Sequence, residues 1–150
     1  MSEVFNIQHI KLDLESETKD EVFEELIETI IAMHPDLNRR EMLEAVTMRE
    51  NQMNTAVVPG VAVPHGYCHA VNSIVGVMGI SHRGIEYDTG EREPVHCIFM
   101  LVMGDAYREK HVRILSKIFD LLNSQVLSKI QVAQSTQDVH NILCQFEQLT

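Results

Sequence analysis

Two histidines in the sequence stand where an imidazole ring can take part in chemistry. His65 follows Pro64 and precedes Gly66, so we predict that it lies where a short strand gives way to a loop. Imidazole has an unperturbed pKa of about 6.5, so its neutral form is abundant near pH 7 and attacks phosphorus without a separate base. This position favours a nucleophile at His65, with a structural loop histidine as the alternative.

The second histidine, His111, precedes Val112 at the start of a predicted helix, after a long apolar run. Helix N-termini carry unpaired N–H groups and a partial positive charge, so they favour anions. Loops at the carboxyl ends of strands are also where α/β sheets usually bind ligands. His111 is therefore a candidate anion contact, although a histidine that merely covers the helix end fits the same pattern.

Arg49 is the candidate cation. It lies seven residues after Met42 and three after Val46, so helical spacing places it on an apolar stripe near the end of a predicted helix. A charge that is partly removed from water requires a counter-charge, because an unpaired buried charge costs several kcal/mol. That counter-charge is either a bound anion or a neighbouring carboxylate such as Glu44 or Glu50.

Helices are predicted in both halves of the chain. Apolar residues recur three and four apart between Thr18 and Met33, and this helix must stop before Pro35. Thr18 and Asn38 each precede a glutamate by three residues, which is the spacing of a capping box, and the second helix should run from Asn38 to about Arg49. The same spacing predicts further helices near residues 112–122, 126–132 and 139–146.

The middle of the chain is rich in strand-forming residues. Ile74–Ile80 and Val95–Met103 are nearly continuous apolar runs, which is typical of strands buried on both faces. Val57–Val63 is β-branched but contains a Pro-Gly pair, so any strand there must be short and end near His65. The order predicts one α/β domain over residues 1–150, a sandwich whose mixed parallel and antiparallel sheet is covered by helices on both faces.

Composition excludes several classes of function. With 12 Lys plus Arg against 22 Asp plus Glu, the net charge of −10 makes nucleic acid a poor partner. Three scattered cysteines and the lack of a leader-like start favour a cytoplasmic protein. The apolar runs fall short of the roughly 20 residues that cross a bilayer, so membrane insertion is not expected. No glycine-rich nucleotide motif is present, so we predict no ATP site.

One signature connects these candidates. The run Arg49-Glu50, then Thr55, then Gly60-Val61-Ala62-Val63-Pro64-His65-Gly66 resembles the active-site signature of the fructose/mannitol-type enzyme IIA family of the phosphotransferase system, which includes nitrogen-regulatory relatives. The resemblance extends over nearly the whole chain, through Gly84-Ile85-Glu86-Tyr87, Glu93-Pro94-Val95 and the region around His111. The family usually has glycines at the positions of Ala56 and Val58, so we expect a stiffer loop here.

The resemblance implies that His65 is phosphorylated and that His111 and Arg49 position and neutralise the phosphate. Thr55 and Gly60 are expected to help position it. The resemblance further implies no cofactor and no metal, a phosphate donor similar to the histidine phosphocarrier HPr, and an acceptor cysteine on an enzyme IIB. Because the sequence ends at Thr150 without a IIB or membrane segment, we expect that acceptor to be a separate polypeptide.

Two alternatives stay open. Nitrogen-type relatives resemble sugar-specific enzymes IIA but act by binding regulatory target proteins according to their phosphorylation state. A metal site is the third hypothesis, because His65, Cys68 and His69 have the spacing of ligands on one helical turn, with His111 as a further ligand. The sequence lacks the second cysteine pair that would make a zinc site specific, so we do not favour it.

Overall fold

The computed structural model describes residues 1–87 and 93–149. Within these ranges two α-helices precede a central block of strands and three follow it, as the sequence predicts, but a short strand at Ile10–Lys11 precedes the first helix. The α-helices are α1 (Lys19–Met33), α2 (Arg39–Gln52), α3 (Arg108–Leu122), α4 (Val126–Gln131) and α5 (Thr136–Leu149). None of the described helices is long and apolar enough to cross a bilayer.

The first two helices begin at the predicted caps. The Thr18 hydroxyl accepts the N–H of Glu21 at 3.4 Å, and the Asn38 side chain accepts the N–H of Glu41 at 3.0 Å. These bonds satisfy backbone donors that would otherwise lack partners in the first turn. α1 ends before Pro35, as predicted, whereas α2 runs one turn further than Arg49.

The strands form one mixed sheet, which confirms the predicted fold class. They are β1 (Ile10–Lys11), β2 (Ala56–Val58), β3 (Val61–Ala62), β4 (His65–Tyr67), β5 (Ile74–Ile85) and β6 (Val95–Met103). The order is β1-β5-β6-β3-β2, and β4 also pairs with β6. The β5–β6 and β2–β3 pairs are antiparallel, whereas β1–β5, β3–β6 and β4–β6 are parallel.

The sheet separates two apolar cores because alternate residues of β6 point to opposite faces. Ile98, Met100 and Val102 belong to the core beneath α1 and α2. Cys97, Phe99 and Leu101 belong to the core beneath α3, α4 and α5. Both faces of β6 are thus removed from water, which explains why its sequence is a continuous apolar run.

The segment around His65 differs from the prediction. Instead of one short strand followed by a loop, residues 56–62 form the β2–β3 hairpin, and His65 is the first residue of strand β4. β3 and β4 pair with successive parts of β6, and the Pro64 carbonyl between them accepts the N–H of Leu101. Pairing with the edge of β6 therefore makes residues 65–67 a strand, although their own sequence does not favour one. Ala56 and Val58 lie in β2, where an extended backbone accepts side chains other than glycine.

Candidate functional site

The His65 imidazole is held by the backbone just before it. Its Nδ1 lies 2.9 Å from the carbonyl oxygen of Val63. A carbonyl only accepts hydrogen bonds, so Nδ1 carries the proton and Nε2 of the neutral ring keeps a free lone pair. Burial lowers the pKa of His65 and outweighs the raising effect of the Val63 bond; the charge of Arg49 lowers it further. At neutral pH the ring is therefore an uncharged nucleophile.

His111 lies beside this ring, on α3. The two ring centroids are 4.9 Å apart, and His111 is only 4% exposed. Its Nδ1 is 2.8 Å from the Tyr67 hydroxyl, while its Nε2 is buried and has no hydrogen-bond partner within the described residues. Burial lowers the pKa of His111 to about 4. The protonated form of His65 and the positive charges of Arg49 and Arg108 act in the same direction.

Arg49 completes the group. It lies in the last turn of α2, where its Nη1 donates to the Met53 carbonyl at 3.0 Å. Its charge lowers the pKa of both His65 and His111, which places the guanidinium within electrostatic reach of both rings. The two carboxylates that the sequence offered as partners are engaged elsewhere, since Glu44 pairs with Arg40 and Glu50 accepts from Thr55.

This group can bind and transfer an anion. The half-buried His65 ring keeps a lone pair on Nε2, the His111 ring lies 4.9 Å away, and the charge of Arg49 acts on both rings. Such positively polarised donors stabilise the charge that develops on the oxygens of a phosphoryl group in flight. The structure thus brings together His65, His111 and Arg49, three of the five residues that the sequence indicated.

Comparison with known proteins identifies the family of this chain. Residues 3–145 match the family described as the phosphoenolpyruvate-dependent sugar phosphotransferase system, EIIA 2. The chain belongs to this family. It is 28% identical over 139 residues to the fructose-specific EIIABC component of Bacillus subtilis, which covers 92% of this chain but only 22% of that protein. It is 27% identical to the fructose-specific EIIA component of Haloferax volcanii, covering 97% of this chain and 95% of that protein.

A solved structure extends the likeness to the nitrogen-regulatory branch. The nitrogen regulatory protein IIA-Ntr from Neisseria meningitidis superimposes with a TM-score of 0.86 at 26% identity, covering 95% of this chain and 97% of that one. The EIIA fold is therefore shared with both sugar-specific and regulatory proteins.

Thr55, which the resemblance offered as a phosphate-positioning residue, is buried behind the EIIA site. Its hydroxyl donates to Glu50 at 2.6 Å and lies 3.1 Å from the Tyr87 hydroxyl. Its backbone carbonyl accepts the N–H of Val63, whose own carbonyl binds His65 Nδ1. Thr55 is thus connected to the imidazole through the backbone of Val63, and direct contact with phosphate stays a prediction.

Gly60, the other expected phosphate-positioning residue, is not brought to the imidazole pair. It forms the turn between β2 and β3 with φ +82°, and its carbonyl accepts the N–H groups of His96 and Cys97. His65 pairs with Leu101 instead, about 13 Å further along β6 at roughly 3.3 Å per residue. The positive φ explains why glycine stands here, because other residues resist it.

The residues of the metal hypothesis do not converge. The Cys68 thiol faces Glu41 at 3.9 Å, and His69 is exposed and pairs with Asp105 at 2.9 Å. Neither of these contacts involves His65 or His111. Within residues 1–87 and 93–149, no group of three or more His, Cys, Asp or Glu side chains is arranged to hold a metal ion.

Tyr67 and Arg108 are site residues that the sequence reasoning missed. Tyr67 binds His111, and the Arg108 guanidinium lies over the Tyr67 ring at 4.1 Å from its centroid. Residues two apart on a strand share a face, so Tyr67 would follow from His65 if the segment were read as a strand. The loop interpretation of the Pro-His-Gly triplet concealed this relation.

Proposed function

We propose that this EIIA chain is a phosphoryl carrier that holds phosphate on Nε2 of His65. One observation supports the proposal most directly: the Val63 carbonyl accepts a hydrogen bond from Nδ1–H of His65. This bond leaves the Nε2 lone pair available, with the His111 ring and the charge of Arg49 nearby. The proposal also rests on membership in the phosphotransferase family. It places the protein in the cytoplasm and requires no metal and no ATP.

Two displacements at phosphorus make up the proposed cycle. In the first, Nε2 of His65 attacks the phosphorus of a phosphohistidine on an HPr-like donor, and the P–N bond to the donor breaks with return of the electron pair to the donor imidazole. In the second, a cysteine thiolate of an enzyme IIB attacks the same phosphorus, and His65 leaves with its lone pair. Arg49 and His111 stabilise the phosphoryl oxygens in both steps.

The HPr-like donor and the IIB acceptor are parts of this proposal, and the name of one relative supports the acceptor. The Bacillus relative is named as a fructose-specific EIIABC component. For this chain, transfer to a IIB cysteine in sugar uptake is the corresponding proposal. We propose that residues 1–150 form one carrier domain, because this chain contributes only His65, His111 and Arg49 to the two displacements.

The labelling experiment tests the site. Incubation with phosphorylated HPr should add one phosphate that is labile to acid and stable to base, and His65→Ala should abolish it. His82→Ala is the matched control, because His82 is an exposed histidine that pairs with Asp13 at 3.1 Å. Uptake of label by His65→Ala at the wild-type rate would show that His65 is not the acceptor.

A regulatory function is the second candidate, favoured by the likeness to IIA-Ntr at 26% identity over 95% of the chain. In that case the phosphorylation state of His65 would control binding to target proteins. Both candidates predict phosphorylated His65, so labelling does not separate them. Rapid loss of label to a purified IIB domain supports the carrier, whereas stable label together with phosphorylation-dependent capture of a target supports the regulator.

A further inference from the structure

Tyr67 connects three parts of the site. It lies two residues after His65 on β4, its hydroxyl is 2.8 Å from Nδ1 of His111, and its ring lies under the Arg108 guanidinium. This hydrogen bond joins the sheet to α3 and connects two residues that lie 44 positions apart in the sequence. The hydroxyl therefore contacts Nδ1 of His111, whereas the other ring nitrogen, Nε2, is the one without a partner.

The direction of this hydrogen bond decides what His111 offers to an anion. If the hydroxyl donates to Nδ1, the single proton of the neutral ring must reside on Nε2. Nε2–H is then a buried donor without a partner, which suits a phosphoryl oxygen and costs free energy while it is unpaired. If Nδ1 donates instead, Nε2 holds a lone pair that repels the same oxygen.

Two features favour donation by the hydroxyl. A neutral imidazole nitrogen is a strong acceptor, and the low pKa of His111 keeps the ring neutral at pH 7. A cation over the face of Tyr67 draws electron density from the phenol ring, which strengthens its O–H as a donor.

We propose that Tyr67 is a positioning residue for phosphoryl transfer, which holds His111 in the tautomer whose Nε2–H binds the phosphoryl group on His65. This inference rests on the proposed function. A group that binds the second ring nitrogen of a functional histidine fixes its tautomer and ring orientation. At metal sites, loss of such a group lowers metal affinity or activity about 10–100-fold. Tyr67 performs the same task here for a phosphate.

The tautomer can be measured before any phosphate is added. Proton–nitrogen correlation spectra of protein labelled with ¹⁵N-histidine distinguish protonated from unprotonated ring nitrogens. Wild-type His111 should show protonated Nε2 and unprotonated Nδ1, and Tyr67→Phe should shift the population toward the other tautomer. A proton on Nδ1 in the wild type would overturn the inference without requiring any variant.

The rate of phosphate uptake provides the second readout. Tyr67→Phe should slow labelling by phosphorylated HPr about tenfold. Tyr107→Phe is the matched control, because it removes a hydroxyl that donates to the Asn72 carbonyl at 2.7 Å, and it should label at the wild-type rate. A Tyr67→Phe protein with unchanged tautomer and unchanged rate overturns the role of Tyr67 alone. Failure of the wild type to take any label overturns the proposed function and this inference together.

Discussion

At the residue scale, the hydrogen bonds made by the two Nδ1 atoms give the His65 and His111 imidazoles different chemical properties. His65 is bonded through Nδ1 to a carbonyl and keeps a lone pair on Nε2, whereas His111 is bonded through Nδ1 to a hydroxyl and leaves Nε2 buried without a partner. Both side chains are imidazoles, and the pKa of each is lowered. Their surroundings thus suit one ring to attack phosphorus and the other to bind its oxygens.

Arg49 is the first test at this scale. Arg49→Gln should slow phosphate uptake by about 100-fold, because loss of one preorganised donor typically costs a factor of 10²–10³. Arg40→Gln is the matched control on the same helix, since Arg40 forms an exposed pair with Glu44 that contributes little. Initial rates of labelling measure the effect. Equal labelling rates in the two variants would show that Arg49 does not take part in phosphate uptake.

His111 predicts a pH dependence of stability. Its pKa is about 4 in the folded protein and about 6.5 when unfolded, so between these values the unfolded chain binds the extra proton. The stabilisation is complete above pH 6.5 and is lost as the pH falls toward 4, to a total of about 3 kcal/mol. Urea unfolding of the wild type and His111→Gln at several pH values isolates this difference. Parallel pH curves would contradict it.

At the element scale, the close approach of α2 to β4 positions the site. Gly66 lies between His65 and Tyr67 and points to the opposite face, where a Cβ atom would lie 2.6 Å from the backbone carbon of Ala45. Glycine is thus required at this position for packing against α2. The same contact brings the last turn of α2, with Arg49, toward the strand that carries His65.

Gly66→Ala should therefore destabilise the fold by about 2 kcal/mol or more, because backbone atoms cannot move aside as a side chain can. Gly60→Ala is the informative comparison. Its Cβ has open space, with its nearest contact at 4.0 Å, but its φ of +82° should cost about 1 kcal/mol. Denaturant unfolding measures both. A Gly66→Ala protein as stable as the wild type would show that α2 does not pack this closely.

At the scale of the whole molecule, the sheet lies between two apolar cores, and β6 contributes to both. Cys97 lies in this strand with no exposed surface, and burial raises the pKa of its thiol to about 12. A thiol that is both protonated and inaccessible does not react. Its reactivity should therefore report the opening of the entire sandwich.

Alkylation should modify Cys144, which is partly exposed, long before Cys97. Modification of Cys97 should follow the global free energy of unfolding and rise in parallel with denaturant, because a residue in the central strand is exposed only when both layers separate. Mass spectrometry of timed samples measures each site. Rapid modification of Cys97 in native buffer would indicate a local opening of β6.

The sequence by itself determined the features that depend on neighbours along the chain. The caps at Thr18 and Asn38, the end of α1 before Pro35 and the buried strand Val95–Met103 follow from local spacing and side-chain chemistry. The family resemblance likewise rests on a signature within residues 49–66, which indicated Arg49 and His65, and on the region around His111.

The tertiary structure alone decided which of these residues meet. His65 lies in a strand because the edge of β6 is available, and Tyr67 reaches His111 because α3 packs against the same face of the sheet. Gly60 belongs to the signature but lies at the far end of the β3–β6 pairing. Pairing and side-chain contact depend on surfaces contributed by distant segments, and the spacing of residues within one segment does not encode them.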